Sequence, residues 1–157
     1  MQIDIKKAAA RISGQVLQTP LFYSKYLSAL NKGQVYLKLE SEQYTGSFKA
    51  RGALNKMLGL SSSEKAKGLI TASTGNHAQG FARALEIANA EGTIFLPTNA
   101  EASKVEALKA YKVGLQFHGA DALTTELHAM KFAEASGQIW ISPYNDPEVI
   151  AGQGTLA

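Results

Sequence analysis

The fold class is decided by residues 68–97, whose sequence is GLITASTGNHAQGFARALEIANAEGTIFLP. An apolar run at 68–73 predicts a short buried strand, 76–89 is an alanine-rich helical stretch, and 93–96 is a second apolar run. A strand, a helix and a strand in this order predict two parallel strands joined by a right-handed crossover.

The same unit recurs toward the end of the chain. Residues 101–111 and 121–136 have helical spacing, and each helix is followed by a strand-like run, at 114–117 and 138–141. Strands that alternate with helices predict an α/β fold, with a parallel sheet flanked by helices. Ligands bind such sheets beyond the carboxyl ends of the strands.

Helical spacing also predicts which side chains of these helices are buried. The expected core positions are Ala102, Val105 and Leu108 in one helix, and Leu123, Leu127, Met130 and Ala133 in the other. Upstream, the pattern predicts helices at 4–11, 25–30 and 47–59, a strand at 35–40, and a capping box at Ser61–Glu64.

Composition excludes several classes of function. The chain has 157 residues and no cysteine, which excludes disulfides, cysteine–zinc sites and thiol catalysis. His77, His118 and His128 lack metal-ligand spacing, so no metal site is expected. A net charge of +3 without a basic stripe argues against nucleic-acid binding. No apolar run approaches the roughly 20 residues that span a bilayer, and the start lacks a signal-peptide core, so a cytoplasmic protein is expected.

The first candidate site is TGSFKARG at 45–52. Lys49 and Arg51 lie in the first turn of a predicted helix, where cations oppose the helix dipole. One interpretation is two solvated side chains on an exposed face. The other is that the positive field lowers the pKa of Lys49, because Schiff-base chemistry requires a neutral amine.

The second candidate site is ASTGNHAQG at 72–80, between a strand and a helix N-terminus. Free backbone N–H groups there favour an anion, and Gly75 lets a ligand approach the backbone. The alternative interpretation is a plain Ser/Thr/Asn helix cap. The stretch has neither a Walker A loop nor GxGxxG, so a carboxylate or phosphate fits better than a dinucleotide. His77 is expected to be structural or supporting rather than a base.

Four motifs in order carry a family resemblance. TGSFKARGA at 45–53, STGNHAQG at 73–80, SPYNDP at 142–147 and AGQGT at 151–155 resemble fold-type II pyridoxal-phosphate enzymes, most closely the threonine/serine dehydratases and serine racemases. The resemblance covers residues 19–157. It implies that the chain corresponds to the N-terminal half of such an enzyme: 1–47 from the larger domain, 48–145 the small α/β domain, and 146–157 the start of a larger-domain helix.

The resemblance also implies residue roles. Lys49 would match the lysine that attaches pyridoxal phosphate and later moves the substrate α-proton, Phe48 would pack by the cofactor ring, and Asn76 would hydrogen-bond the ring hydroxyl. The substrate α-carboxylate would be held by the anion loop, which consists of Ser73, Thr74, Gly75, Asn76 and His77. Thr74 stands where racemases usually carry a serine acting as second acid/base. Threonine keeps the hydroxyl but has a stiffer χ1, which favours dehydration over racemisation.

The function implied is a dehydratase (ammonia-lyase) that converts L-threonine or L-serine to a 2-oxo acid and ammonia. The cofactor's phosphate-binding loop would lie outside these residues, and exposed apolar surface would favour a homo-oligomer. Alternatives are a serine racemase-like enzyme, a catalytically inactive self-associating α/β module, and a domain that binds anions through the 73–77 loop alone.

Overall fold

The computed structural model describes residues 3–157 as eight α-helices and six strands. The strands are β1 (Leu21–Tyr23), β2 (Tyr36–Lys38), β3 (Leu69–Ala72), β4 (Gly92–Leu96), β5 (Gly114–Phe117) and β6 (Ile139–Trp140). The helices are α1 (Ile5–Ile12), α2 (Lys25–Asn31), α3 (Lys49–Gly59), α4 (Ser62–Lys65), α5 (Asn76–Ala88), α6 (Ala102–Lys109), α7 (Ala122–Ser136) and α8 (Pro147–Gly154).

The predicted parallel sheet is confirmed. Its four strands lie in the order β5-β4-β3-β6, and every neighbouring pair is parallel. The carboxyl ends of β3 and β6 therefore meet at one edge, where α5 and α8 begin. This edge contains the anion loop and the SPYNDP turn.

Local signals explain where most helices begin. Asp4, Ser24, Ser61, Asp121 and Asp146 each accept a hydrogen bond from a backbone N–H of the first turn of a helix. The predicted capping box is confirmed, since the Glu64 carboxylate also accepts a hydrogen bond from the Ser61 backbone N–H. Helices α3, α5 and α6 differ, because none of them has a side-chain cap. Two of these uncapped N-termini, those of α3 and α5, lie in the candidate site.

Alternation along the strands divides the core between the two faces of the sheet. Leu69 and Ile94 pack with α3 and α5 on one face. Ile70 and Phe95 pack on the other face, against Ala129 and Ala133 of α7. Adjacent residues of a strand point to opposite faces, so Thr71 shares the α3/α5 face with Leu69.

The predicted core stripe of α7 is wrong. Leu123, Leu127 and Met130 are 65%, 49% and 43% exposed, and the buried residues of the helix are Thr125, Ala129 and Ala133. A helix lying close on a sheet has small residues at the contact, so its larger side chains point outward. Ala133 alone was predicted correctly.

Smaller differences concern the other elements. In α6, Leu108 is buried and Val105 half-buried, as expected, but Ala102 is exposed. Strand β1 was not predicted; it pairs antiparallel with β2, which is shorter than the 35–40 run and is followed by a 3-10 turn at Glu40–Glu42. Two short strands carry too few residues for periodicity to be visible.

Helix α8 packs tightly on α3. A Cβ built on Gly152 would lie 2.6 Å from the Arg51 carbonyl oxygen and 2.6 Å from the Gly52 Cα, and Gln153 Oε1 accepts from the Gly52 N–H at 3.2 Å. At one side of this contact Arg11 of α1 bonds Asn55 and Glu148.

The domain limits at 47/48 and 145/146 stay a prediction. Within residues 3–157, no helix is long and apolar enough to cross a membrane.

Candidate active site

Lys49 is the first residue of α3, and its amine lies half-buried against the SPYNDP turn. Its Nζ donates a hydrogen bond to the Pro143 carbonyl oxygen at 2.7 Å, and the Phe48 ring centroid lies 5.5 Å from the same nitrogen. A carbonyl is a neutral acceptor, so this contact positions the amine without pairing its charge. Phe48 keeps 39% of its surface exposed.

Burial lowers the pKa of the Lys49 amine below its ordinary value. The direction agrees with the Schiff-base interpretation, but the expected cause, a positive field from the helix and Arg51, is not the one the structure supplies. Desolvation disfavours the ammonium form because a half-buried cation loses water that one carbonyl replaces incompletely.

Arg51 does not belong to this site, and it is not solvated either. Its guanidinium is buried and donates to both carboxylate oxygens of Glu40, at 2.8 and 2.7 Å, and to the Leu17 carbonyl at 3.1 Å. Thr19 donates to the same carboxylate at 2.5 Å. The two cations of TGSFKARG therefore lie in different environments and contact different parts of the fold.

The anion loop places its backbone donors as predicted for a helix N-terminus. Gly75 is the N-cap residue of α5, and within the described chain the N–H groups of Asn76, His77 and Ala78 have no acceptor. A Cβ at Gly75 would meet nothing within 4 Å, so the space in front of these donors is open. Ser73 Oγ accepts from the Gly75 N–H at 3.2 Å, which shapes the loop. Thr74 is half-buried and Asn76 exposed.

His77 is buried, unlike the other loop residues. Its Nε2 lies 3.1 Å from Thr71 Oγ1, and Thr71 donates its single hydroxyl proton to the Ile141 carbonyl at 2.8 Å. Because Thr71 has a single hydroxyl proton, a ring proton on Nε2 satisfies both contacts at once, and this tautomer leaves Nδ1 as an acceptor. Burial, together with the nearby Lys49 charge, lowers the pKa of His77 to about 3. This neutral imidazole fits the supporting role expected from the sequence.

Helix α5 meets α3 directly at Lys49. A Cβ on Gly80 would lie 3.0 Å from the Lys49 carbonyl carbon and oxygen. A side chain at this position would require the Lys49 backbone to shift by a few tenths of an ångström, so a glycine suits this close approach. The contact brings the open N-terminus of α5 and the half-buried amine to the same edge of the sheet.

Sequence reasoning missed the role of the 142–145 turn. Ser142 Oγ accepts from the Asn145 N–H at 2.9 Å, and Tyr144 donates to Glu126. These bonds shape the segment that carries the Pro143 carbonyl. SPYNDP was noted as a family motif, but a backbone oxygen leaves no signal in residue identity.

The remaining histidines lie elsewhere. His118 and His128 stack with ring centroids 3.5 Å apart, and His128 lies against Phe95. Among the described residues, no cluster of three or more metal-ligating side chains is found. A polar depression of about 1330 Å³ lies at the amino edge of the sheet, opposite the predicted site residues.

Comparison with known proteins identifies the family of the chain. Residues 12–157 match the family described as pyridoxal-phosphate dependent enzyme, and the chain belongs to that family. The resemblance to fold-type II enzymes is thereby confirmed.

Named relatives fall in the expected group. The chain is 45% identical over 154 residues to the catabolic L-threonine dehydratase of Staphylococcus aureus (strain N315), covering 98% of this chain and 44% of that protein. The processed form of threonine deaminase isoform 2 from Solanum lycopersicum superposes with a TM-score of 0.87 at 36% identity, over 97% of this chain and 43% of that one. Maize serine racemase gives 0.89 at 36% identity, over 97% and 46%. The chain thus spans about half the length of the relatives it matches.

The residues present fit the family's cofactor. The site offers an amine whose pKa is lowered, an aromatic ring beside it, and open helix-end donors. His77 Nδ1 is also a buried acceptor without a partner among the described atoms, as in a site that another group completes. Lys49, Phe48 and Asn76 are the residues that would hold the ring portion.

Proposed function

We propose that this chain supplies the lysine-bearing half of a pyridoxal-phosphate-dependent ammonia-lyase that acts on L-threonine or L-serine. The net reaction converts the hydroxy amino acid to a 2-oxo acid and ammonia, with one water lost and one regained. The proposal rests on one observation above all: the half-buried Lys49 amine, held by the Pro143 carbonyl at the edge of the sheet where α5 begins with an uncapped N-terminus.

Each residue has a physical task in this proposal. Pyridoxal phosphate, when bound, withdraws electrons from the α-carbon of an amino acid, so that an α-proton and a β-hydroxyl can leave. Lys49 would hold the cofactor, and its amine in the neutral form would take the α-proton of the substrate. The N–H groups at the start of α5 bind the α-carboxylate, and the helix dipole favours that charge.

The flanking side chains complete the arrangement. Phe48 packs against the ring, Asn76 donates to the ring hydroxyl, and the Ser73 and Thr74 hydroxyls lie beside the carboxylate. Fixing the carboxylate orients the α C–H bond toward Lys49, which is the contribution that positioning makes to the rate.

Thr74 bears on the choice between dehydration and racemisation. Racemisation needs a second acid/base on the face opposite Lys49, and the β-branched Thr74 has fewer side-chain rotamers than serine. We therefore favour the ammonia-lyase over the racemase. Incubation of a cofactor-loaded protein with L-serine separates them, since the first yields pyruvate and the second D-serine.

The proposal includes a homo-oligomeric, cytoplasmic protein with a small amino acid as its partner. Leu21, Tyr26 and Leu30 expose apolar surface around β1 and α2, which supports self-association. A chain without cysteine gains nothing from an oxidising compartment.

Borohydride reduction tests the assignment of Lys49. After incubation with pyridoxal phosphate and reduction, peptide mass spectrometry should find the pyridoxyl group on Lys49, and Lys49→Arg should abolish both the adduct and the visible absorbance. Lys38→Arg is the matched control, because Lys38 Nζ also donates to a backbone carbonyl, that of Thr19 at 2.6 Å. An adduct that persists in Lys49→Arg would refute the assignment.

A second candidate is a non-catalytic, self-associating α/β module. The exposed apolar residues of β1, α2 and β2 favour it, since a two-stranded sheet alone is marginally stable. Cooperative unfolding together with no spectral response to pyridoxal phosphate would support this candidate against the enzyme. Sedimentation velocity of Leu30→Glu would test the surface, with dissociation as the expected result.

A further inference from the structure

We infer that Thr71 and His77 are positioning residues for Lys49, acting through a buried hydrogen-bond path that fixes the turn carrying the Pro143 carbonyl. The inference rests on the proposed function, in which Lys49 is the reacting amine. The path runs from α5 through β3 to the end of β6, and among the described residues none of its side chains forms a hydrogen bond with the Lys49 nitrogen.

The path has a defined direction. His77 Nε2–H donates to Thr71 Oγ1 across 3.1 Å, and Thr71 donates to the Ile141 carbonyl across 2.8 Å. Each bond polarises the next, because a hydroxyl that accepts a hydrogen bond becomes a better hydrogen-bond donor. Thr71 and Ile141 are fully buried and His77 nearly so, so no water competes for these groups.

The far end of the path leads into the turn. The Ile141 N–H also donates to the Ile70 carbonyl at 2.7 Å, so β3 holds Ile141 through both its N–H and its carbonyl. Ser142 Oγ, the next residue's hydroxyl, then accepts from the Asn145 N–H. Pro143 lies inside this braced segment, and its carbonyl meets Lys49 Nζ at 2.7 Å.

The residue type at position 71 supports a positioning role. Strand β3 has the sequence LITA and is buried along its whole length. A buried hydroxyl costs free energy unless it is bonded, and valine has the same shape without that cost. A threonine at this position is explained if the site requires its two hydrogen bonds, to His77 and to the Ile141 carbonyl.

The positioning role predicts a change in Lys49 itself when the path is cut. Thr71→Val removes both bonds, leaves the Ile141 carbonyl without the hydroxyl, and loosens the turn. The Lys49 amine then gains water, and its pKa rises toward the ordinary value because burial is what lowers it. His77 is the titratable group that couples to this amine, and it is neutral in either case.

Competitive acetylation of the cofactor-free chain measures this directly. Labelling of Lys49 with acetic anhydride across a pH series, read by peptide mass spectrometry, gives the amine's apparent pKa. For Thr71→Val we expect the Lys49 labelling rate near pH 8 to fall and its pH profile to move to higher pH, because more of the amine is then protonated. Thr71→Ser, which keeps the hydroxyl, should restore the wild-type profile.

Two further variants separate positioning from loss of stability. Thr125→Val removes an equally buried threonine hydroxyl, which bonds the His118 and Asp121 carbonyls, and should leave the Lys49 profile unchanged. His77→Phe removes the donor at the other end of the path without changing charge, and should give a smaller shift in the same direction. It serves as the test if Thr71→Val does not fold.

The outcomes distinguish this inference from the proposed function. A folded Thr71→Val chain whose Lys49 labels as in the wild type would overturn the positioning role and leave the enzyme proposal intact. A shifted Lys49 profile in a protein that never acquires a pyridoxyl group would support the positioning role while the enzyme proposal fails.

Discussion

The guanidinium of Arg51 and the carboxylate of Glu40 form a buried ion pair joined by two hydrogen bonds, Nε to Oε2 at 2.8 Å and Nη2 to Oε1 at 2.7 Å. Residues two apart on an α-helix point about 200° apart, so this pair lies on the side of α3 away from Lys49. It ties α3 to the 3-10 turn at Glu40–Glu42, and its integrity is a matter of stability rather than chemistry.

The first prediction concerns this pair. Glu40→Gln should destabilise the fold by about 3–5 kcal/mol, because Arg51 is left as a buried charge without a counter-charge. Urea unfolding followed by circular dichroism measures the change. Glu106→Gln is the control, since it breaks an exposed pair with Lys109 and should cost less than about 1 kcal/mol. Equal costs for the two variants would contradict the prediction.

The acid dependence of stability forms the second prediction. Burial alone would raise the pKa of Glu40, but the bonds from Arg51 and Thr19 outweigh it and hold the pKa below the usual 4.5. A carboxyl with a depressed folded pKa stabilises the fold above its unfolded pKa, and this contribution is lost as pH falls through the folded value. The free-energy difference between wild type and Glu40→Gln should therefore shrink below pH 4.5. A difference that stays constant down to pH 3 would contradict it.

The third prediction concerns His77. Its pKa is about 3 in the fold against 6.5 in the unfolded chain, so the unfolded state alone binds a proton between these values. Stability should fall as pH drops through this window, by about 1.4 kcal/mol per pH unit from this group. His77→Phe should flatten that slope. Proton NMR provides the second measurement: the ring signals of His77 should stay in their neutral position down to pH 4.

The fourth prediction separates the predicted and observed faces of α7. Leu127→Ser should change stability by less than about 0.5 kcal/mol, because Leu127 is exposed. Ala129→Leu should cost about 1–3 kcal/mol, because Ala129 lies fully buried against the sheet. Thermal unfolding of both variants would show it. A larger loss of stability for Leu127→Ser than for Ala129→Leu would contradict the observed burial and favour the core positions predicted from the sequence.

The fifth prediction tests the contact of α3 with α8. Gly152→Ala should destabilise by about 1–3 kcal/mol, because the new methyl group would meet the backbone of Arg51 and Gly52, which has no flexible end to move. Gly33→Ala is the control, since the nearest atom to a Cβ there is 3.6 Å away. Differential scanning calorimetry compares them, and an unchanged melting temperature for Gly152→Ala would refute the close packing.

Local patterns of the sequence determined the order of the elements and the parallel sheet. A strand, an uncapped helix N-terminus and a capping box can each be predicted from a few adjacent residues, as in 68–80 and 61–64, because each depends on interactions between neighbours in the sequence. The motifs around Lys49 and Ser73 likewise predicted the two segments that the fold brings to one edge of the parallel sheet.

Only the tertiary structure decided what each side chain meets. It gave Lys49 and Arg51 different partners: Lys49 bonds the carbonyl of Pro143, which is distant in sequence, and Arg51 bonds Glu40, which no sequence motif singles out. It turned Leu123 and Leu127 outward, because the close approach of α7 to the sheet leaves room for alanine at the contact. It also gave Lys49 a lowered pKa by burial rather than by a nearby charge: desolvation depends on every atom around the amine, and no local spacing records that.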